Sequence, residues 1–289
     1  MSAHAEATSR LGLAHFPAKK AAGEPIAMVT AYDHPSAQVA DAAGVDAVLV
    51  GDSAAMTVLG YDSTVPVTVD EMIMLARAVR RGLRRALMIA DLPFGSYEAS
   101  DETAVATAQR FVKETGCDAV KIERGGTSVD RARAIVRAGI PVMGHVGLTP
   151  QTATALGGYR AQGRTAAEAE ELCRAALALQ GAGCFALVLE AVPAAVTEAL
   201  VPLLRIPVIG IGAGPATDGQ VLVFHDLLGI YDGPAARFVK RYDGLRERMQ
   251  AGVAAYVEDV RTGAYPAPEH TYGMPDAEAE RMRESIRSL

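Results

Sequence analysis

Five apolar runs in this chain end in residues able to do chemistry. Ala47-Val48-Leu49-Val50 leads into Gly51-Asp52-Ser53, and Leu87-Met88-Ile89-Ala90 into Asp91. Ala119-Val120-Lys121-Ile122 ends in Glu123, Pro141-Val142-Met143-Gly144 in His145, and Phe185-Ala186-Leu187-Val188-Leu189 in Glu190. If each run is a strand of one parallel barrel, its carboxyl end lies on the rim where such folds build active sites. Carboxylates gathered there repel one another unless a cation neutralises them. Oxygen donors without a Cys or His cluster suit a hard ion, and Mg2+ takes one or two carboxylates plus water and substrate. Asp52 and Asp91 come from neighbouring strands and can converge on one ion. Lys121 and Glu123 are two residues apart and point to the same side of their strand. That sets a cation and a further acid beside the metal, with Lys121 able to meet a substrate carboxylate or oxyanion. Any one Asp at such a place can instead cap the following helix. Five successive strand ends need not all do so, and a Lys within a buried strand is costly unless paired.

The elements that must position these residues are legible as a rhythm. Besides the five runs there are Ala27–Ala31 and Pro207–Ile211, with a weaker eighth at Val221–Phe224. Runs of four to six apolar residues without alternation suit strands buried on both faces. Between them lie amphipathic stretches: Asp70–Arg81, Asp101–Glu114, Val129–Ala138 and Thr165–Gln180. The last opens with Thr165 and Glu168, a capping-box pair. Ala43-Gly44, Ala138-Gly139 and Ala182-Gly183 place a glycine after a helix and before a strand, as αβ loops do. Seven or eight strand–helix repeats predict an α/β fold, a single (β/α)8 TIM barrel, with a doubly wound open sheet as the alternative. Residues 1–23 are expected to be an N-terminal arm or short helix outside the core. Residues 24–289 then form the barrel domain, with a helical, strand-free extension from about 235.

Composition removes several classes of function. The 289 residues carry 34 acids against 28 bases, a net charge of −6, and no tryptophan. A nucleic-acid binder would need a basic face, so none is expected. No run approaches 18 apolar residues, so no membrane span is expected either. Met1–Arg10 lacks an apolar segment of the secretory kind. Cys117, Cys173 and Cys184 are odd in number and form no C-x-x-C pair, which fits reduced thiols in the cytoplasm.

Val29-Thr30-Ala31-Tyr32-Asp33, Val50-Gly51-Asp52-Ser53, Gly60-Tyr61-Asp62-Ser63-Thr64 and Ala90-Asp91-Leu92-Pro93-Phe94 resemble segments of the ketopantoate hydroxymethyltransferases. So do Gly144-His145-Val146-Gly147-Leu148-Thr149-Pro150-Gln151 and Ile209-Gly210-Ile211-Gly212-Ala213-Gly214. The match is collinear from Ala27 to Tyr242. The resemblance implies a barrel like those of phosphoenolpyruvate mutase and isocitrate lyase, assembled as a homo-oligomer that is decameric in typical members. It implies transfer of a one-carbon unit from 5,10-methylenetetrahydrofolate to α-ketoisovalerate with Mg2+, giving ketopantoate for coenzyme A synthesis. Asp52 and Asp91 then correspond to metal ligands, and Glu123 to a further acid of the metal site acting through water. Asp52, Ser53, Asp91, Lys121 and His145 surround the keto acid, with a purely structural His145 as the alternative. Glu190 corresponds to the general base that takes the C3 proton to form a Mg2+-stabilised enolate. Such a base needs a raised pKa, which the apolar run before it would favour.

Two positions depart from the family. Arg124 stands where glycine usually follows the strand-four acid, and Ala191 where a larger residue usually follows Glu190. They leave room for a paralogue with a different keto acid. A Mg2+-dependent lyase or mutase of the isocitrate lyase type is a second reading, although such enzymes usually carry a reactive Cys in a loop motif. A non-catalytic metabolite-binding barrel is a third, although it need not retain buried charges. Gly210–Gly214 reads as either a tight turn or an anion cradle. The cluster Arg80, Arg81, Arg84 and Arg85 reads as a solvated face or a site for the folate tail. Tyr159-Arg160 and Gln162-Gly163-Arg164 are a candidate lid or folate contact. Met72 and Met74 are expected in the core.

Overall fold

The apolar runs become strands because each is covered on both faces. In the computed structural model, residues 10–123, 126–233 and 236–289 are described. The elements follow in order: α1 (His15–Ala22), β1 (Ile26–Thr30), α2 (His34–Ala42), β2 (Ala47–Val50), α3 (Ala54–Thr57), α4 (Val69–Gly82), β3 (Leu87–Asp91) and α5 (Asp101–Thr115). Then come β4 (Ala119–Glu123), α6 (Ser128–Arg137), β5 (Val142–Gly147), α7 (Ala166–Gly181), β6 (Ala186–Glu190), α8 (Ala194–Leu200), β7 (Val208–Ile211), β8 (Gly219–Leu222) and α9 (Phe224–Leu227). Helices α10 (Leu245–Thr262) and α11 (Asp276–Ile286) end the chain. The eight strands pair in sequence order, all parallel, and β8 closes on β1. The open-sheet alternative is therefore excluded.

Alternation within the strands decides what faces the barrel axis. Ala47, Leu49, Leu87, Ile89, Ala119, Met143, Ala186 and Val188 form one buried cluster, while Val48, Met88, Val120 and Leu187 join the other with the helices. Continuing that period of two turns Asp91, Lys121, Glu123, His145 and Glu190 inward, one layer above the apolar plug. The register sets Asp91 beside Lys121, Glu123 beside His145 and Gly147 beside Glu190.

The helices behave as their caps dictate. Thr165 and Glu168 form the expected capping box on α7, and Thr68 and Glu71 form one on α4. Met72 is fully buried, whereas Met74 is 57% exposed. Two residues on a helix turn about 200°, so the two methionines cannot share the core face.

Besides that of Met74 in the core, three expectations need correction. Residues 15–22 are not outside the core: α1 seals the amino end of the barrel with Phe16, fully buried among the lowest interior layer and edge-on to Phe185 at 5.7 Å. Asp46, just before β2, binds His15 Nε2 at 2.7 Å and Lys19 Nζ at 2.9 Å, and Asp218 holds Lys20 at 2.7 Å. The eighth strand begins at Gly219, two residues before its apolar run. Gly219 lies so close to Ile26 that a Cβ would overlap the Ile26 carbonyl oxygen, and Phe224 already opens α9. Finally, no helix joins β7 to β8. The seven residues 212–218 reach at most about 25 Å, enough to return along a four-residue strand.

The chain separates into two compact units, Met1–Tyr242 and Asp243–Leu289. The second contains α10 and α11 and no strand among its residues. Within it, the Tyr265 ring lies 5.6 Å from Tyr256 and 5.1 Å from His270. Among the described residues no helix is long and apolar enough to cross a membrane.

Candidate active site

The inward polar layer lines a cavity of about 220 Å3 at the carboxyl ends of the strands. Asp52, Asp91, Lys121, Glu123, His145 and Glu190 all contribute to its wall. The capping alternative does not hold for the strand-end residues. The N-caps of α6 and α8 are Thr127 and Pro193, not Glu123 and Glu190. Ser53 sits at the N-cap of α3 but makes no side-chain cap, and its Oγ instead meets the Tyr32 hydroxyl at 2.7 Å.

A continuous polar network ties these groups together. The Asp52 backbone N–H donates to Asp91 Oδ2 at 3.0 Å, and Lys121 Nζ lies 2.8 Å from Asp91 Oδ1 and 3.8 Å from Glu123 Oε1. Gln151 is the keystone. Its Nε2 donates to Asp52 Oδ2 at 2.9 Å and to the Leu92 carbonyl at 3.0 Å, and its backbone N–H donates to Glu123 Oε2 at 2.9 Å. Its Oε1 accepts from the Tyr97 hydroxyl at 2.7 Å. His145 lies between two acids, with Nδ1 3.3 Å from Glu123 Oε1 and Nε2 3.3 Å from Glu190 Oε2.

Burial and charge set the protonation states. Burial penalises the His145 and Lys121 cations, but the carboxylates facing them outweigh that penalty. His145 is raised to about 9 by Glu123 and Glu190 despite Lys121. Lys121 is held above its ordinary value by Asp91, Glu123 and Asp52. A protonated Nδ1 cannot also accept from Lys121, so the 3.4 Å approach of those two atoms is no bond. Glu123 is also buried, yet its carboxyl stays below the usual range because His145, Lys121 and the Gln151 N–H favour its charge. Asp52 goes the other way: burial, then the charges of Glu123 and Asp91, push it well above the carboxylate range. Burial also raises Asp91, against the pull of Lys121.

This arrangement fits a divalent cation held by two carboxylates. Asp91 Oδ1 is buried and faces Lys121 Nζ at 2.8 Å, with no other polar partner. The ionised form of Asp52 is opposed by burial and by the charges of Glu123 and Asp91 more than Lys121 favours it, and an ion beside it would relieve that repulsion. Both oxygens of Glu123 already face donors, so this acid contributes charge rather than a free ligand atom. Among the described residues no three of His, Cys, Asp and Glu form a metal-binding group. The remaining coordination would therefore come from substrate and water, as Mg2+ allows.

Glu190 stands at the rim, its side chain 16% exposed and turned to the buried His145. Its place is set by backbone approach. The Leu148 N–H donates to the Glu190 carbonyl at 2.8 Å, and Gly147, with φ of 100°, leaves no room for a Cβ beside that oxygen. Ala191, which follows, takes a left-handed conformation at φ 49°. Arg124 lies outside the described residues.

The structure also sorts the weaker sequence features. Arg80 and Arg85 bind the Leu83 and Val45 carbonyls, and Arg80 approaches Asp118 at 3.6 Å, all at the amino end of the barrel. They are remote from the cavity. Gly212 and Gly214 have positive φ, and a Cβ at Gly212 would overlap the Phe238 ring, so the tight turn is real. Cys117 and Cys184 are buried, which pushes their thiols up to about 11 and about 12, and no cysteine lines the cavity. Among the cavity and network residues not singled out from the sequence are Tyr32, Tyr97, Gln151 and Asp226. Tyr32 and Gln151 lie in the segments Val29–Asp33 and Gly144–Gln151, each just beyond a strand, the position that marked the others. Tyr97 stands in an irregular stretch and Asp226 in the four-residue helix α9, neither with a periodicity to expose it.

A family model described as ketopantoate hydroxymethyltransferase matches residues 10–268. A 3-methyl-2-oxobutanoate hydroxymethyltransferase of Moorella thermoacetica is 55% identical over 264 residues, covering 91% of this chain and 98% of that protein. Its counterpart in Oleidesulfovibrio alaskensis is 50% identical, covering 99% and 98%. Among solved structures, phosphoenolpyruvate phosphomutase of Streptomyces platensis matches with a TM-score of 0.60 at 16% identity, covering 96% of this chain and 98% of that one. A phosphonopyruvate hydrolase complexed with oxalate and Mg2+ matches at 0.58 and 13%, with the same coverage. The similarity to these two is one of fold.

Proposed function

The chain belongs to the ketopantoate hydroxymethyltransferase family, and on that premise we propose how its barrel mouth transfers a hydroxymethyl group to 3-methyl-2-oxobutanoate. The one-carbon donor in this reading is 5,10-methylenetetrahydrofolate. Asp52 and Asp91 would hold a Mg2+ ion, which when bound supplies Lewis acidity to the oxygens of the keto acid. Lys121 and Ser53 orient the carboxylate and keto group. Glu190 removes the proton from C3, and the electron pair of that C–H bond moves toward the keto oxygen. One water releases the donor's one-carbon unit at the formaldehyde level, breaking both of its C–N bonds and returning the donor as tetrahydrofolate. The carbon nucleophile bonds to that carbonyl carbon, and its oxygen takes back the proton held by Glu190 to become the product hydroxyl. His145, with Nε2 3.3 Å from Glu190 Oε2, orients that carboxyl group toward the cavity. The apolar barrel interior beneath the cavity keeps bulk water from the reacting carbon.

The observation that carries this reading is the single cavity in which an inward Glu190 faces the buried Asp52, Asp91 and Lys121. The lyase reading has no comparable support, since no cysteine reaches that cavity. A homo-oligomer, decameric as in typical members, and a cytoplasmic setting belong to the same proposal.

Proton NMR in D2O tests it. With protein, Mg2+, methylenetetrahydrofolate and α-ketoisovalerate, the C3 proton resonance should vanish and ketopantoate should appear. Glu190→Gln should slow both by about 10²–10⁴-fold. Wild-type protein that leaves the C3 proton in place, or normal turnover by the variant, would sink the assignment.

A further inference from the structure

A second hollow, of about 840 Å3, adjoins the substrate cavity and shares Tyr159, Glu190, Ala236 and Phe238 with it. Its chemistry is the reverse of the first. The inner cavity gathers acids, whereas the outer one sets Arg160, Arg164 and Arg237 against Glu190 alone. Arg160 Nε donates to the Leu156 carbonyl, which leaves its terminal nitrogens available. All three arginines are exposed. Between them the wall is apolar, formed by Leu148, Val192 and Phe238.

We propose that this outer hollow seats the aminobenzoyl-glutamate part of the one-carbon donor, with Arg160, Arg164 and Arg237 binding the glutamate carboxylates. The proposal rests on the hydroxymethyl-transfer reading above. Size supports the division of labour. Pockets for drug-sized ligands run from about 300 to 1,000 Å3, so the inner cavity suits a small keto acid and only the outer one a donor of that size. Position supports it as well, because the donor's carbon must reach the atom that Glu190 deprotonates, and Glu190 belongs to both walls. Charge supports it third: a glutamate tail carries two or more carboxylates at neutral pH, and the guanidinium fork matches a carboxylate in planar, two-point contact. The other arginine cluster, Arg80 to Arg85, lies at the opposite end of the barrel and cannot serve the same donor.

Steady-state kinetics with mono- and triglutamyl methylenetetrahydrofolate test the assignment. The triglutamyl donor should have the lower KM, and added salt should narrow the difference. The double variant Arg164→Ala, Arg237→Ala should raise the donor KM about tenfold, more for the triglutamyl form, with kcat held within about twofold. The double variant with lysines should recover part of the loss. Should the alanine variant fail to fold, p-aminobenzoyl-triglutamate serves as a probe of the wild-type enzyme and should compete with the donor. An unchanged donor KM, an equal loss for both donors, or an absence of competition overturns the tail site while product still forms. Wild-type enzyme that gives neither C3 exchange nor product would instead overturn the functional reading and this proposal with it.

Discussion

Lys121→Met probes the electrostatic heart of the barrel. Methionine keeps the length and volume of the lysine stem, so the change removes charge with little change in packing. Lys121 is 4% exposed and is the buried ammonium beside Asp91 and Glu123. At an effective dielectric of about 20, a unit pair at the 2.8 Å separation from Asp91 is worth about 6 kcal/mol, and one at the 3.8 Å separation from Glu123 about 4 kcal/mol. The cost of desolvating the ammonium offsets roughly half of that sum, leaving a net loss of about 3–5 kcal/mol when the cation is removed. Asp52 and Asp91, already raised by burial, would rise further, and one of them would take up a proton at neutral pH. The assay is thermal unfolding of wild type and variant, with and without Mg2+. In metal-free buffer the midpoint should fall by roughly 10 °C. Mg2+ should recover more in the variant than in the wild type, because it replaces the missing positive charge. A midpoint within 1 °C of wild type in metal-free buffer would refute the reasoning, for it would mean that the three acids do not need Lys121.

Other regions of the molecule give further tests. Gly147→Ala should reduce turnover by at least about 10²-fold while the protein stays folded, because the new Cβ must displace the Glu190 carbonyl, and circular dichroism with kcat measurement would check both halves. Phe16→Ala should cost about 3–5 kcal/mol in denaturant unfolding; a loss below 1 kcal/mol would return α1 to the status of a loose arm. Asp46 gives a pH-dependent test. Burial opposes its charge, but His15, the Ala27 N–H and Lys19 hold its carboxyl below the usual value. Its stabilisation is therefore fully present above the unfolded carboxylate pKa of about 3.9 and is lost as pH falls through the lower folded value. Asp46→Asn should be less stable than wild type at neutral pH, with the gap closing in acid; a gap that stays constant on acidification would count against the ion pairs with α1.

Part of the site was readable before any coordinates, for a local reason. A polar residue closing an apolar run is a pattern within five or six residues, and the twofold period of a strand carries it inward without reference to the rest of the chain. Asp91, Lys121, Glu123, His145 and Glu190 were all found that way. The shift of β8 to Gly219 was missed because glycine carries no hydrophobic mark, and its place depends on the nearness of Ile26, almost two hundred residues away. Phe16 was missed likewise. One phenylalanine in a polar, alanine-rich stretch has no periodicity, and only the closed barrel gives it a hole to fill.

The sequence by itself determined that this chain is a parallel α/β fold with acids, a lysine and a histidine at its strand ends, and the pairing of β8 with β1 closed it into a barrel. The fold class and the strand-end groups follow from hydrophobic spacing and from the alternation of neighbouring side chains. Tertiary structure alone decided how the rim groups pair. Lys121, placed from the sequence beside the metal acids, pairs with Asp91, and Glu123 is held by His145 and the Gln151 N–H. Gln151 joins Asp52 to the Leu92 carbonyl and Tyr97, and an outer hollow with three arginines opens beside Glu190. Charges act over a few ångströms of space whatever their separation along the chain, so partners drawn from different strands and loops are fixed only when the barrel closes.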